Sequence, residues 1–400
     1  MSGRSEVTGG AGTACIVGWA HTPFGRLDDA PDAEALLGRV ARAALDDAGV
    51  DPSDVDTIHV GHFNGGFQKQ DFPSSLVLQS VPELRFKAAT RYENACATGT
   101  AAIHGALDGI AARRGRIALV LGVEKMTAVL GAQVGDILLG CAYRREEGDI
   151  PMGFAGVFAR IAETYFQRHG DQSDALAAIA AKNHANGVAN PYAQMRRDLG
   201  YDFCRRPSEK NPVVAGPLKR TDCSPVSDGA AALVIADEDT ARALGKAVRF
   251  RARVQVNDLL PISARDITRF EGAREAWSRA HAAAAIALGD LSFVETHDCF
   301  TIAELIEYEA MGLAPEGQGA RVALDGTVAK GGRLPVNPSG GLKSKGHPIG
   351  ATGVSMHALA AMQLCDAAEG MQVPGATLGG VFNMGGAAVA NYVSILERVR

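Results

Sequence analysis

Three short segments of this 400-residue chain collect residue types suited to nucleophilic and proton-transfer chemistry. The first is ENACATGTAA, around Cys96. A cysteine followed by Ala, Thr and Gly at a strand-to-helix junction lies near a helix N-terminus, where unpaired N–H groups and the helix dipole favour an anion. The thiolate is the nucleophile, and at an ordinary pKa of about 8.5 only a few per cent of it exists near neutrality. Lowering that pKa by about one unit raises the thiolate fraction nearly tenfold. The second segment is NPSGGLKSKGHPIGATG, around His347, with five glycines in fourteen residues. Such a run implies tight turns and close backbone approach, and Pro348 restricts the chain beside the imidazole. That imidazole can take a thiol proton or donate to a developing thioester oxyanion. The third is ETHDCFTIAE, which sets His297, Asp298 and Cys299 at a strand end before a helix. A His–x–Cys pair can begin a metal site, but no other Cys/His pair has zinc spacing, so no metal is expected. A second thiol that moves an α-proton while Cys96 is acylated makes better sense.

Each segment also has a structural reading. Cys96 can be a buried thiol in a small-residue helix contact, and His347 a loop imidazole bonded to nearby backbone. The seven cysteines are odd in number and scattered. In a reducing compartment they are free thiols, most of them buried as small hydrophobes.

Strands and helices alternate around these segments. ACIVGWAH, DTIHVGHF and RIALVLGVEKM read as core strands, and DAEALLGRVARAALDDAGV as a helix opened by an Asp cap. NACATGTAAIHGALDGIAARRG reads as a small-residue helix. The order recurs later in the helix AREAWSRAHAAAAIALGD, the strand FVETHDCF, the helix HPIGATGVSMHALAAMQLCDA, and the strands ATLGGVFNM and AAVANYVSIL. Ala97-Thr98-Gly99 and Ala351-Thr352-Gly353 begin helices in corresponding places. This predicts a duplicated α/β fold with helices covering the sheets, its halves spanning 1–245 and 246–400. A helical excursion at about 127–219 breaks the pattern, and SDGAAALVIAD completes the first half.

Composition narrows the partners. The chain is 46% hydrophobic and 21% charged, with net charge -5. That balance argues against nucleic acid or an anionic membrane as the main partner, since both select a basic surface. No apolar stretch is long enough for a membrane span. The N-terminal MSGRSEVTGGAGTAC lacks a signal-peptide core and the C-terminal ILERVR lacks a peroxisomal tripeptide, so a cytoplasmic location is expected.

Taken together, ENACATG, GVEKM, KNH, NP, DCSPVSDGAAALVIA, HDCF and GHPIGATG resemble the thiolase family in the family's order and over almost the whole chain. His297-Asp298-Cys299-Phe300 stands where common thiolases carry Asn-Glu-Ala-Phe. Asn383-Met384-Gly385 stands where they carry a catalytic Cys-x-Gly. Both features are similar to the sterol carrier protein 2-type branch, in which the HDCF cysteine takes over as acid/base. Thr98 replaces the usual Ser and keeps a hydroxyl.

The resemblance implies a five-layered αβαβα fold with an inserted loop domain, and a homodimer or homotetramer. It implies Cys96 as nucleophile, His347 as its base and Cys299 as the α-proton acid/base. His347 and His297 would form one oxyanion site, and the backbone N–H groups of Cys96 and Gly385 a second. Ser224 matches a coenzyme A contact. Substrates would be acyl-CoAs and 3-ketoacyl-CoAs, with coenzyme A as a substrate and no bound cofactor. Lys182, Arg196, Arg197, Lys210, Lys219 and Arg220 are candidates for neutralising its phosphates. His184 reads as structural or pocket-lining, and Glu124 and Lys125 as organisers of the core edge or a dimer contact. Two other functions remain open: a decarboxylative condensing enzyme of related fold, and a non-catalytic thiolase-like scaffold that binds coenzyme A.

Overall fold

The structure is a computed structural model that describes residues 14–399. Nine strands form its main sheet: β1 (Ala14–His21), β2 (Thr57–Gly61), β3 (Ala88–Tyr92), β4 (Ile117–Lys125), β5 (Asp228–Asp237), β6 (Val248–Asn257), β7 (Phe293–Glu295), β8 (Leu378–Gly385) and β9 (Ala390–Arg398). Their order is β3-β2-β4-β5-β1-β6-β9-β8-β7. Outward from β1, two antiparallel pairings lead to β5 and β4, then parallel ones to β2 and β3. Outward from β6, two antiparallel pairings lead to β9 and β8, then a parallel one to β7. The same pairing pattern on both sides, with β3 as an extra edge strand in the first half, is the signature of the duplication. Within the sheet the halves meet at β1 and β6, where Cys15 pairs with Arg249 and Ile16 with Val248.

Helices sort into layers around these strands. Helix α1 (Ala33–Ala48) buries Leu36, Leu37, Val40, Ala41, Ala44 and Leu45, spaced to make one apolar face against β1, β4 and β5. The Asp32 side chain caps its start by accepting from the Ala35 N–H, and Gly49, at φ 67°, ends it. Helix α2 (Thr98–Ala111) and helix α7 (Ile349–Leu364) pack on each other between the halves. Every residue of α7 is buried, as expected of a helix sandwiched on both sides. Helix α5 (Glu271–Ala284) covers β6 and β9 from outside. With the two halves of the sheet counted as separate layers, helix, sheet, helix, sheet and helix make the five expected layers. Between β4 and β5 the chain makes its excursion, including α3 (Phe154–His169) and α4 (Ser173–Gly187). Helix α6 (Thr301–Ala310) follows the HDCF segment and packs on α4.

Three details differ from the sequence reading. FVETHDCF is a strand only to Glu295, and the histidine and cysteine stand on the loop after it. Strands β3 and β6 were not anticipated. β3 is a half-exposed edge strand, and β6 (VRFRARVQVN) alternates arginines with buried Val248, Phe250 and Ala252. Charges on one face hide such a strand from any search for continuous apolar runs.

Glu124 and Lys125, at the end of β4, both organise the core edge. Glu124 accepts from the backbone N–H groups of Phe63, Asn64 and Gly350 and sits 3.2 Å from the His62 imidazole. Lys125 donates to Asp228 at 2.7 Å in a buried ion pair, and the same carboxylate accepts from Thr127 and Leu27 backbone N–H groups. Breaking a buried pair strands one charge, so Asp228→Asn is expected to lower the unfolding free energy by about 3–5 kcal/mol. Denaturant titration checks this; an unchanged midpoint would mean that solvent reaches the pair.

Candidate active site

Cys96 occupies the turn between β3 and α2, two residues before the helix begins. Ala95 is held at φ 51°, a left-handed conformation unusual for a residue with a Cβ. Surrounding bonds enforce it. Ala97 N–H returns to Asn94 O at 3.1 Å, Asn94 N–H donates to Thr98 Oγ1 at 2.8 Å, and Asn94 Nδ2 donates to the Tyr392 hydroxyl at 2.7 Å. Thr98 therefore uses the hydroxyl it shares with serine. Gly385, at the end of β8, passes so close that a Cβ there would lie 2.4 Å from Asn94 O. That position needs glycine for contact alone.

His297 and His347 converge on the same thiol. One ligand atom each from Cys96, His297 and His347 lies within 4.8 Å of the others, and all three residues are buried. The two rings meet edge-on with centroids 5.0 Å apart. Such a cluster is dense enough to grip a soft metal ion, and equally dense enough to pass protons. Each ring is tethered through its Nδ1, His297 to Asn383 at 2.8 Å and His347 to Thr352 at 2.7 Å. Both Nε2 atoms lack a hydrogen-bond partner among the described residues. Burial pushes the His297 pKa down to about 4, so this ring is neutral at physiological pH.

The HDCF loop is fixed from below. Asp298 accepts from the Leu342 N–H at 2.6 Å, the Lys343 N–H at 3.1 Å and Asn183 Nδ2 at 2.7 Å. Gly341, at φ +59°, makes this possible, because a Cβ there would lie 2.3 Å from the Asp298 carboxylate. Burial and the nearby Glu304 raise the Asp298 carboxyl to about 7. Glu304 in turn pairs with Lys182 at 2.8 Å. The Cys299 thiol is pushed well above its ordinary value, by burial first and then by charge on Cys96. It is therefore a protonated thiol close to the nucleophile. Ser224 donates its backbone N–H to Cys299 O at 2.9 Å, which ties the DCSPVSDG segment to the same loop.

The basic residues divide in two groups. Part-buried Lys182 pairs with Glu304 and buried Lys219 with Asp222, which makes them structural partners. Arg196, Arg197, Lys210 and Arg220 are exposed and available to an anion. His184 is fully buried on α4.

One site residue escaped the sequence reading. Cys141, from the excursion, hydrogen-bonds to the Cys96 sulfur, and this bond heads the causes that pull the Cys96 thiol well below its ordinary value. The two imidazoles add to it and burial opposes it. Cys141 itself is driven well upward by the same contact and by burial, so it remains the donor. Nothing in GCAYR marks it, because its role arises only from a tertiary contact. Cys141→Ala removes a donor to the thiolate and should move Cys96 alkylation by iodoacetamide to higher pH. The reaction then slows near neutrality and recovers as pH rises. A superimposable pH profile would remove Cys141 from the site.

Fold and centre together define a duplicated, layered α/β protein with a buried thiol–imidazole cluster between its halves. Residues 14–199 match the thiolase N-terminal domain, and residues 255–398 match the thiolase C-terminal domain-like description. The chain is 34% identical over 391 residues to the acetyl-CoA acetyltransferase of Methanothermobacter thermautotrophicus, covering 96% of this chain and 99% of that one. It is 32% identical over 389 residues to human sterol carrier protein 2, covering 92% of this chain and 69% of that protein. A solved structure described as the Ltp2-ChsH2(DUF35) aldolase superposes with a TM-score of 0.81 at 21% identity, over 98% of this chain and 99% of that one. The chain belongs to the thiolase family of acyltransferases, with sterol carrier protein 2-type proteins among its relatives.

Proposed function

We propose that this thiolase cleaves 3-ketoacyl-CoAs with coenzyme A, and in reverse condenses acyl-CoAs, through an acyl-enzyme on Cys96. The convergence of Cys96, His297 and His347 within 4.8 Å, with the protonated thiol of Cys299 nearby, carries this reading. His347 takes the Cys96 proton and the thiolate adds to the 3-keto carbonyl. Collapse of the adduct breaks the Cα–Cβ bond and leaves the acyl group on Cys96. The electron pair passes to the α-carbon of the departing acyl-CoA, whose enolate oxygen is held by His297 and His347. Cys299 protonates that carbon. Coenzyme A thiol then attacks the acyl-enzyme, releases the shortened acyl-CoA and restores the protons. Backbone N–H groups of Cys96 and Gly385 serve the tetrahedral adduct, and Ser224 with the exposed arginines and Lys210 serves coenzyme A. A homodimer or homotetramer in the cytoplasm completes the proposal.

The test is coenzyme A-dependent cleavage of 3-ketoacyl-CoAs from acetoacetyl-CoA to long and branched chains, with Cys96→Ala as control. A second reading takes its support from the solved assembly above, whose name pairs the aldolase with a DUF35 protein: this chain would be one subunit of a complex. Full cleavage by the isolated chain rejects that reading. Preference for a malonyl-carrier donor would instead favour a decarboxylative condensing enzyme.

A further inference from the structure

Asn383 stands where common thiolases carry a second catalytic cysteine, and its side chain contacts three groups of the centre. Its Nδ2 lies 3.2 Å from the carbonyl oxygen of Cys96 and 2.8 Å from His297 Nδ1. Its Oδ1 accepts from the Thr100 hydroxyl at 2.7 Å. The Cys96 carbonyl can only accept, so the amide group facing it must be the NH2. Both amide protons are then committed, one to Cys96 O and one to His297 Nδ1. The reversed amide would set oxygen against oxygen at Cys96 and leave the Thr100 hydroxyl facing a donor. Hence His297 Nδ1 is bare and the ring proton sits on Nε2, the atom left clear of the Asn383 amide.

His347 is arranged the other way. Its Nδ1 lies 2.7 Å from Thr352 Oγ1, and that hydroxyl lies 3.0 Å from Pro348 O. The Pro348 carbonyl takes the hydroxyl proton, so Thr352 accepts from His347 Nδ1–H and His347 Nε2 is bare. Two imidazoles that look alike in sequence thus present opposite atoms to Cys96: a donor from His297 and an acceptor from His347.

We infer that Asn383 is a positioning residue that locks His297 with its proton on Nε2, so that His297 is the oxyanion donor while His347 is the base. The inference rests on the proposed thiolase chemistry for its purpose, but the tautomer can be measured without it. It also gives position 383 a task in a chain whose second thiol comes from Cys299: the side chain there orients the centre and carries no proton to carbon.

Protein labelled with 15N-histidine, with His297→Gln to assign the signals, should show His297 protonated on Nε2 and bare at Nδ1. A proton on Nδ1 in the unmodified protein overturns the inference, whatever the variants do. In Asn383→Asp the carboxylate draws the ring proton to Nδ1. The kcat for 3-ketoacyl-CoA cleavage should then fall roughly 10²-fold, the loss typical of one oxyanion donor, with KM nearly unchanged. A loss confined to KM, or an unchanged kcat, counts against Asn383 as a positioning residue. If no 3-ketoacyl-CoA is cleaved by the unmodified protein, the thiolase reading fails, and the tautomer measurement still decides this one.

Discussion

Cys96→Ala is expected to abolish cleavage of 3-ketoacyl-CoA, lowering kcat by roughly 10⁴-fold or more, as removal of a covalent nucleophile does in other acyl-transfer enzymes. No neighbouring group can replace it. Cys141 and Cys299 are both held protonated, the first by its bond to Cys96 and by burial, the second chiefly by burial. Among the described residues, only the Cys96 sulfur has two imidazoles within reach and a thiol donating to it. The turn that carries it is fixed by Asn94, Thr98 and Tyr392, none of which bonds to the Cys96 side chain. The variant should therefore fold with an unchanged melting temperature, and the loss should appear in steady-state rates alone. Cleavage near the wild-type rate would exclude covalent catalysis at this residue.

The second large effect separates the two thiols. Cys299→Ala should still form an acyl-enzyme from an acyl-CoA donor, because that half-reaction needs only Cys96 and His347. Cleavage and condensation should both fall, by roughly 10²–10⁴-fold, the range for loss of a general acid or base. The physical reason is the state of the thiol. A group pushed well above its ordinary pKa is an acid at rest, suited to protonating a carbanion formed beside it. Acyl exchange into labelled coenzyme A reads the first half-reaction and 3-ketoacyl-CoA cleavage reads the whole. Equal losses in both would make Cys299 a structural neighbour of Cys96, and no loss in either would remove it from the mechanism.

Much of this centre was legible in the sequence because its parts are local. Cys96, His347 and the His297–Cys299 pair each lie in a short segment whose glycines, prolines and small residues announce a turn at an element end. The duplication was legible too, since strand–helix alternation repeats along the chain. What escaped depends on distance. Cys141 reaches Cys96 from an excursion with no periodic signal. Asn383 looks like the loss of a thiol until its amide is seen between Cys96 O and His297 Nδ1. Lys182 and Lys219 looked free for phosphate, and are paired with Glu304 and Asp222, carboxylates whose proximity only the fold reveals. Strand β6 escaped because its arginines face one side while Val248, Phe250 and Ala252 face the core.

The central claim is that carbon–carbon cleavage runs through an acyl group on Cys96. Its most direct test is mass spectrometry of protein quenched within one turnover of acetoacetyl-CoA in the absence of added coenzyme A. The account predicts an acetyl group on the peptide containing Cys96, and its disappearance when coenzyme A is added. An acetyl group on Cys299 or Cys141, or cleavage that proceeds with Cys96 unmodified throughout, would contradict it.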